Sequence, residues 1–123
     1  MTKNKSNENQ ASVIEEIKAV LAVLDEKKGE AIRVIDLRGR SSITDYVVLV
    51  TAISEPHAKA LKASLDALIR EKGIAIIGND SDADSGWLVL DAFNYMVHIQ
   101  TEQMRIFYGL EDLWQEGEEL DFS

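Results

Sequence analysis

The stretch Tyr46–Ile77, YVVLVTAISEPHAKALKASLDALIREKGIAII, decides the fold. Its opening run from Tyr46 to Thr51 is continuously apolar around Val47, Val48, Leu49 and Val50, the pattern of a central strand buried on both faces. Ser54, with Pro56 just after it, then opens a helix in which Ala58, Leu61, Leu65, Leu68 and Ile69 share one face. Gly73 ends that helix, and Ile74 to Ile77 reads as a further strand. A strand-helix-strand unit of this kind favours a right-handed parallel crossover.

Working outward, Ala31 to Leu37 is a second β-rich run on the N-terminal side, joined to the central strand through Arg38-Gly39-Arg40-Ser41-Ser42. Before it, Ser12 and Glu15 have capping-box spacing, and Val13, Ile14, Ile17, Val20, Leu21 and Leu24 form one helical stripe that stops at Gly29. On the C-terminal side a polar loop from Asn79 to Gly86 leads into two alternating runs, Trp87–Asp91 and Tyr95–Gln100, joined by the short turn Ala92-Phe93-Asn94. Thr101 can cap a last helix through Phe107. Residues 1–10 lack apolar periodicity and read as a flexible lead-in. The acidic segment 115–123, with Glu116, Glu118, Glu119 and Asp121, reads as a flexible tail. The expectation is one α/β domain over residues 11–114, with a single mixed β-sheet of about five strands flanked by helices.

Composition narrows the function. The 123 residues suffice for one core, and 46% apolar with 28% charged residues is ordinary for a globular domain. No run approaches the roughly 20 apolar residues of a membrane span, and Met1 to Gln10 is polar rather than signal-like, so a cytoplasmic protein without a membrane partner is expected. With no cysteine, disulfides, thiolate metal sites and a thiol nucleophile drop out. Thirteen Lys and Arg against 22 Asp and Glu give a net charge of −9, and the basic residues are scattered. Only Arg38 and Arg40 lie together, so direct nucleic-acid binding is not expected, whereas a basic protein partner is matched.

Four constellations bear on chemistry. Asp80, Asp82, Asp84 and Asp91 echo a calcium loop, but Ser85 stands where the tight turn needs Gly, and Trp87 to Leu90 is strand-like; a solvated acidic loop is expected, with no metal. Gly39-Arg40-Ser41-Ser42 followed by Asp45 resembles the start of a nucleotidyltransferase site, which needs a second acid where this chain has Val47. Asp36, Ser41, Ser42, Thr44 and Asp45 are therefore read as a structural polar cluster that satisfies backbone groups. His57 and His98 lack the oriented partners of a catalytic residue, so neither a catalytic residue nor a cofactor is expected. In the hairpin, Trp87, Val89 and Asp91 share one face and Leu88 and Leu90 the other, while Met96, His98 and Gln100 oppose Tyr95, Val97 and Ile99. One face should be core. Trp87 beside an acidic loop suits either a core edge or a partner surface.

Together, Asp36-Leu37-Arg38-Gly39-Arg40-Ser41-Ser42-Ile43-Thr44-Asp45-Tyr46, Ser54 and His57, Gly86-Trp87-Leu88-Val89-Leu90-Asp91, Val97-His98-Ile99 and Tyr108-Gly109-Leu110-Glu111-Asp112-Leu113-Trp114 resemble the Iojap family of ribosomal silencing factors. The resemblance implies a nucleotidyltransferase-like fold without catalysis. It also implies binding to the large ribosomal subunit through its fourteenth protein, which blocks association with the small subunit and represses translation. Alternatives are a ribosome assembly role, as in organellar relatives, and a retained nucleotidyltransferase-like activity. By motif, Trp87, Asp91, Met96 and His98, with Ser85 and Tyr95 beside them, are the expected partner contacts, and a homodimer is expected when the chain is free. The chain departs from the family at Thr51-Ala52, at Asn79-Asp80 and, most consequentially, at the hairpin turn, where Phe93-Asn94 replaces a usual Gly-Asp and puts an aromatic at the tip.

Overall fold

A computed structural model describes residues 2–41, 44–80, 86–115 and 117–122. In chain order the elements are α1 (Thr2–Glu26), β1 (Glu30–Asp36), β2 (Tyr46–Ala52), α2 (Glu55–Lys72), β3 (Gly78–Asp80), β4 (Trp87–Asp91), β5 (Tyr95–Thr101), α3 (Glu102–Tyr108), α4 (Leu110–Leu113) and β6 (Glu118–Leu120). They build one mixed sheet in the order β3-β4-β5-β2-β1-β6. Only the β2–β5 pair is parallel; every other neighbouring pair is antiparallel.

The periodicities select the layers. All seven residues of β2 are buried, as its unbroken apolar run demands. Its Tyr46, Val48 and Val50 face α1 and α2, where Ile17, Val20, Leu24, Leu61 and Leu65 pack against them together with Leu88, Leu90, Tyr95, Val97 and Ile99. Its Val47 and Leu49 face the other way, into a smaller cluster with Ile35 and Leu37 that Leu110 and Trp114 partly cover. Gly29, just past α1, passes close to β2: a Cβ there would lie 2.6 Å from Val50 Cγ2. Ser54 caps α2, its Oγ accepting from the His57 amide at 3.1 Å.

Several expectations are corrected. Residues 2–10 are helical rather than a separate lead-in, and Ser12 sits inside α1 instead of capping it. No Gly or Pro occurs before Gly29 to break the helix once the apolar stripe has nucleated it. Ile74–Ile77 is not a strand. The Ile74 amide donates to Ile69 O and the Gly73 amide to Arg70 O, a Schellman ending of α2. Pairing begins only when the Ile77 amide reaches Asp91 O, so the strand is displaced to Gly78–Asp80. The parallel neighbour of β2 is accordingly β5, with β3 and β4 interposed along the chain. Thr101 is the N-cap of α3, but its side chain makes no capping hydrogen bond.

The acidic tail is likewise not featureless. Glu118–Leu120 forms β6 on the edge of β1, with Val34, Ile35 and Asp36 opposite Leu120, Glu119 and Glu118. Arg33 donates to Glu119, which neutralises part of the charge that made the segment read as a flexible tail. Gly117 permits the approach, because a Cβ would come within 2.4 Å of Ile35 Cγ2. Among the described residues the sheet therefore has six strands instead of about five.

Candidate functional site

The sheet face opposite α1 and α2 is only half covered. Registers across β4, β5 and β2 set three rows on it: Asp91–Met96–Val47, Val89–His98–Leu49 and Trp87–Gln100–Thr51. Trp87, Val89, Asp91 and Met96 are half-buried on this face. Val47, Leu49, His98 and Gln100 lie beneath the surface, with His98 5% exposed. The hairpin thus gives Leu88, Leu90, Tyr95, Val97 and Ile99 to the core and the Trp87 face to the outside.

α3 and α4 border this face and extend it with aromatic rings. Trp87 meets Tyr108 with ring centroids 4.7 Å apart, Tyr108 meets Phe107 at 5.0 Å, and His98 lies between Trp87 at 5.9 Å and Trp114 at 5.6 Å. Phe107 and Leu113 are more than two-thirds exposed and Tyr108 is half exposed, large apolar groups left in contact with solvent. Trp87 Nε1 donates to His98 Nδ1 at 3.0 Å. Burial holds the His98 pKa down at about 4, against a smaller opposing pull from Asp91, so the ring is neutral.

An ionic network fixes α3 and α4 in place. Arg105 is 9% exposed. Its Nε donates to Glu111 Oε1 at 2.9 Å, and one terminal nitrogen donates to both Ala31 O and Thr51 Oγ1, at 2.6 and 2.8 Å. Arg33 also donates to Glu111. Hydrogen bonds from Arg105 lead the effects that hold the Glu111 carboxyl below its usual pKa, with burial opposing them. The bond to Ala31 O steadies a β1 irregularity at which Ala31 takes a positive φ of 48°.

The predicted positions separate into groups. Trp87, Asp91 and Met96 come together on the open face, with His98 underneath. Tyr95 does not join them: it is fully buried on the α1 side, where burial, reinforced by Glu16, pushes its hydroxyl pKa up. Its even spacing from Val97 and Ile99 dictates that side. Ser85 and most of the acidic loop, Ser81 to Asp84, lie outside the described residues, as does Ser42.

Of the polar cluster, Asp36 is buried and accepts from the Arg38 amide at 3.0 Å and from Arg38 Nη2 at 2.7 Å. Burial raises its pKa, but the Arg38 bonds together outweigh that and hold it below the usual carboxylate range. Thr44 Oγ1 donates to Tyr46 O at 3.2 Å and lies 3.4 Å from Phe93 O, tying the β1–β2 loop to the hairpin turn. Asp45 is exposed and contributes its backbone carbonyl to the Leu37 amide, while Ser41 is half-buried at the turn. These groups position the loop. Val47, the place of the second transferase acid, is fully buried in the apolar layer beside Leu49.

His57 is also accounted for: Nδ1 accepts from the Ile53 amide at 3.0 Å and Nε2 meets Lys27 O at 2.7 Å, bridging α2 to the end of α1. Phe93, 66% exposed at the hairpin tip, has φ 69°, the left-handed region that a Gly would occupy without strain. Sequence reading did not assign roles to Phe107, Arg105 or the Arg33–Glu111 link. Their only sequence trace is that Leu110 and Trp114, four residues apart, flank Glu111 in the motif that closes the domain.

Comparison with known proteins agrees with this geometry. A crystal structure of a Chromobacterium violaceum protein superposes with a TM-score of 0.78 at 28% identity, covering 89% of this chain and 90% of that one. A ribosomal silencing factor of Haemophilus influenzae is 32% identical over 98 residues, 80% of this chain and 96% of that protein. One from Bacillus subtilis is 28% identical over 94% of this chain and 97% of its own. The chloroplastic Iojap protein of Zea mays is 29% identical over 72% of this chain, which spans 39% of that longer protein. The family model described as ribosomal silencing factor during starvation matches residues 10–123, and the chain belongs to that family, whose members are regulatory proteins and not enzymes.

Proposed function

We propose that this chain represses translation by seating its open sheet face on the fourteenth protein of the large ribosomal subunit, where its bulk blocks the small subunit from joining. The observation that carries this reading is a half-solvated apolar surface: Trp87, Val89 and Met96 on the sheet, continued from Trp87 by Tyr108 and Phe107. Asp91 adds a carboxylate to it, and the net charge of −9 suits a basic ribosomal protein. Trp87 is the anchor, because a half-buried aromatic at the centre of a mixed patch carries most of the energy in such contacts. Met96 and Asp91 complete the contact, and His98 supports it from beneath.

Steric blocking asks for a firm, correctly shaped surface and no catalytic group, which fits a sheet face stiffened by the Arg33–Glu111–Arg105 network. When free, the chain is expected to pair with a second copy, and the exposed Ile106, Phe107 and Leu113 are apolar enough to take part. Trp87→Ala should weaken capture of purified large subunits by about 2 kcal/mol, roughly thirtyfold. Unchanged capture would remove the Trp87 face from the interface.

A further inference from the structure

We infer that His98 is a positioning residue for partner binding: as the neutral Nε2–H tautomer it accepts the Trp87 indole proton and so sets the ring that meets the partner. The inference rests on the docking role proposed for Trp87. The tautomer follows from geometry. At 3.0 Å from an indole donor, Nδ1 must offer its lone pair, so a neutral imidazole carries its proton on Nε2.

That arrangement is costly. Nε2 is buried, and among the described residues no acceptor reaches it; Gln100 Nε2, two residues along on the same face, is in the same position. A half-buried Trp at the start of a strand could satisfy its own N–H with solvent. Here a buried histidine takes the bond instead and leaves its second nitrogen without a partner among the described residues, at the expense of one buried polar group. The geometric return is orientation. The His98 ring contacts both Trp87 and Trp114, and Trp87 is also in ring contact with Tyr108. Trp87 is thereby locked before it meets the partner, which lowers the ordering cost of association.

Long-range nitrogen–carbon NMR of the imidazoles should show His98 as the Nε2–H tautomer; an Nδ1–H tautomer overturns the inference. Large-subunit binding then separates positioning from mere packing. His98→Leu, which removes the acceptor, should weaken binding about tenfold and move the Trp87 indole N–H signal upfield. His98→Asn, which keeps an oxygen near the Nδ1 position, should recover most of that loss. His98→Leu added to Trp87→Ala should weaken binding no further than Trp87→Ala alone. Additive losses, or equal losses for the Leu and Asn variants with both proteins folded by circular dichroism, overturn the positioning role. If Trp87→Ala itself binds normally, the docking reading fails and the inference with it. If Trp87→Ala weakens binding and His98→Leu does not, only the inference fails.

Discussion

Lowering the pH should destabilise this protein through His98 well before its carboxylates are protonated. Burial holds the ring's pKa at about 4 in the folded chain, whereas in the unfolded chain it titrates at the ordinary value of 6.5. The unfolded state therefore binds the extra proton first, so stability falls as the pH drops from 6.5 to 4 and levels off below that. At pH 7.5 the effect is negligible. At pH 5 about 97% of unfolded molecules and about a tenth of folded ones carry the proton, which corresponds to a loss of about 2 kcal/mol. The assay is urea denaturation at pH 7.5, 6 and 5 on the wild type and on His98→Asn, which keeps the Trp87 acceptor but cannot titrate. His57 is common to both proteins, so its contribution cancels in the difference. The wild type should lose about 2 kcal/mol more than the variant between pH 7.5 and 5. Parallel pH profiles would show that His98 titrates as a solvated histidine and would refute its burial as a neutral ring.

Two further outcomes follow from strain and charge. Phe93→Gly should stabilise the fold by roughly 0.5–1 kcal/mol, read as a higher urea midpoint, because it relieves a bulky residue at φ 69° while giving up little burial. Glu111→Gln should cost about 2–3 kcal/mol by leaving Arg105 and Arg33 without their shared carboxylate. Faster hydrogen exchange should then appear first at Leu110 to Trp114, before the β2–β5 core.

The legible part of the structure was whatever a local period could encode. The unbroken apolar run of β2 announced its burial, Ser54 and Gly73 marked the ends of α2, and alternation in the hairpin assigned Trp87 and Leu88 to opposite faces. Which face met the core needed α1 and α2 in place, since Val47 and Leu49 are as apolar as Val48 and Val50. The misread segments were those settled by partners far along the chain. Glu118–Leu120 is a strand because β1 has an open edge and Arg33 pairs with Glu119, neither of which a local window contains. Ile74–Ile77 has strand composition but spends its first amide closing α2. At the candidate site, Trp87, Asp91 and Met96 were reachable from spacing and family motif. The aromatic border on α3 and α4 was not, because it depends on how Arg105 and Glu111 dock those short helices.

The central claim is that this chain holds large subunits apart from small ones. It is tested most directly by mixing purified large and small subunits with a molar excess of the protein and separating them on a sucrose gradient. The protein should comigrate with free large subunits, and joined ribosomes should decline in proportion to the protein bound. Trp87→Ala should show neither effect at the same concentration. Undiminished subunit joining with the wild-type protein bound, or protein remaining at the top of the gradient, would contradict it.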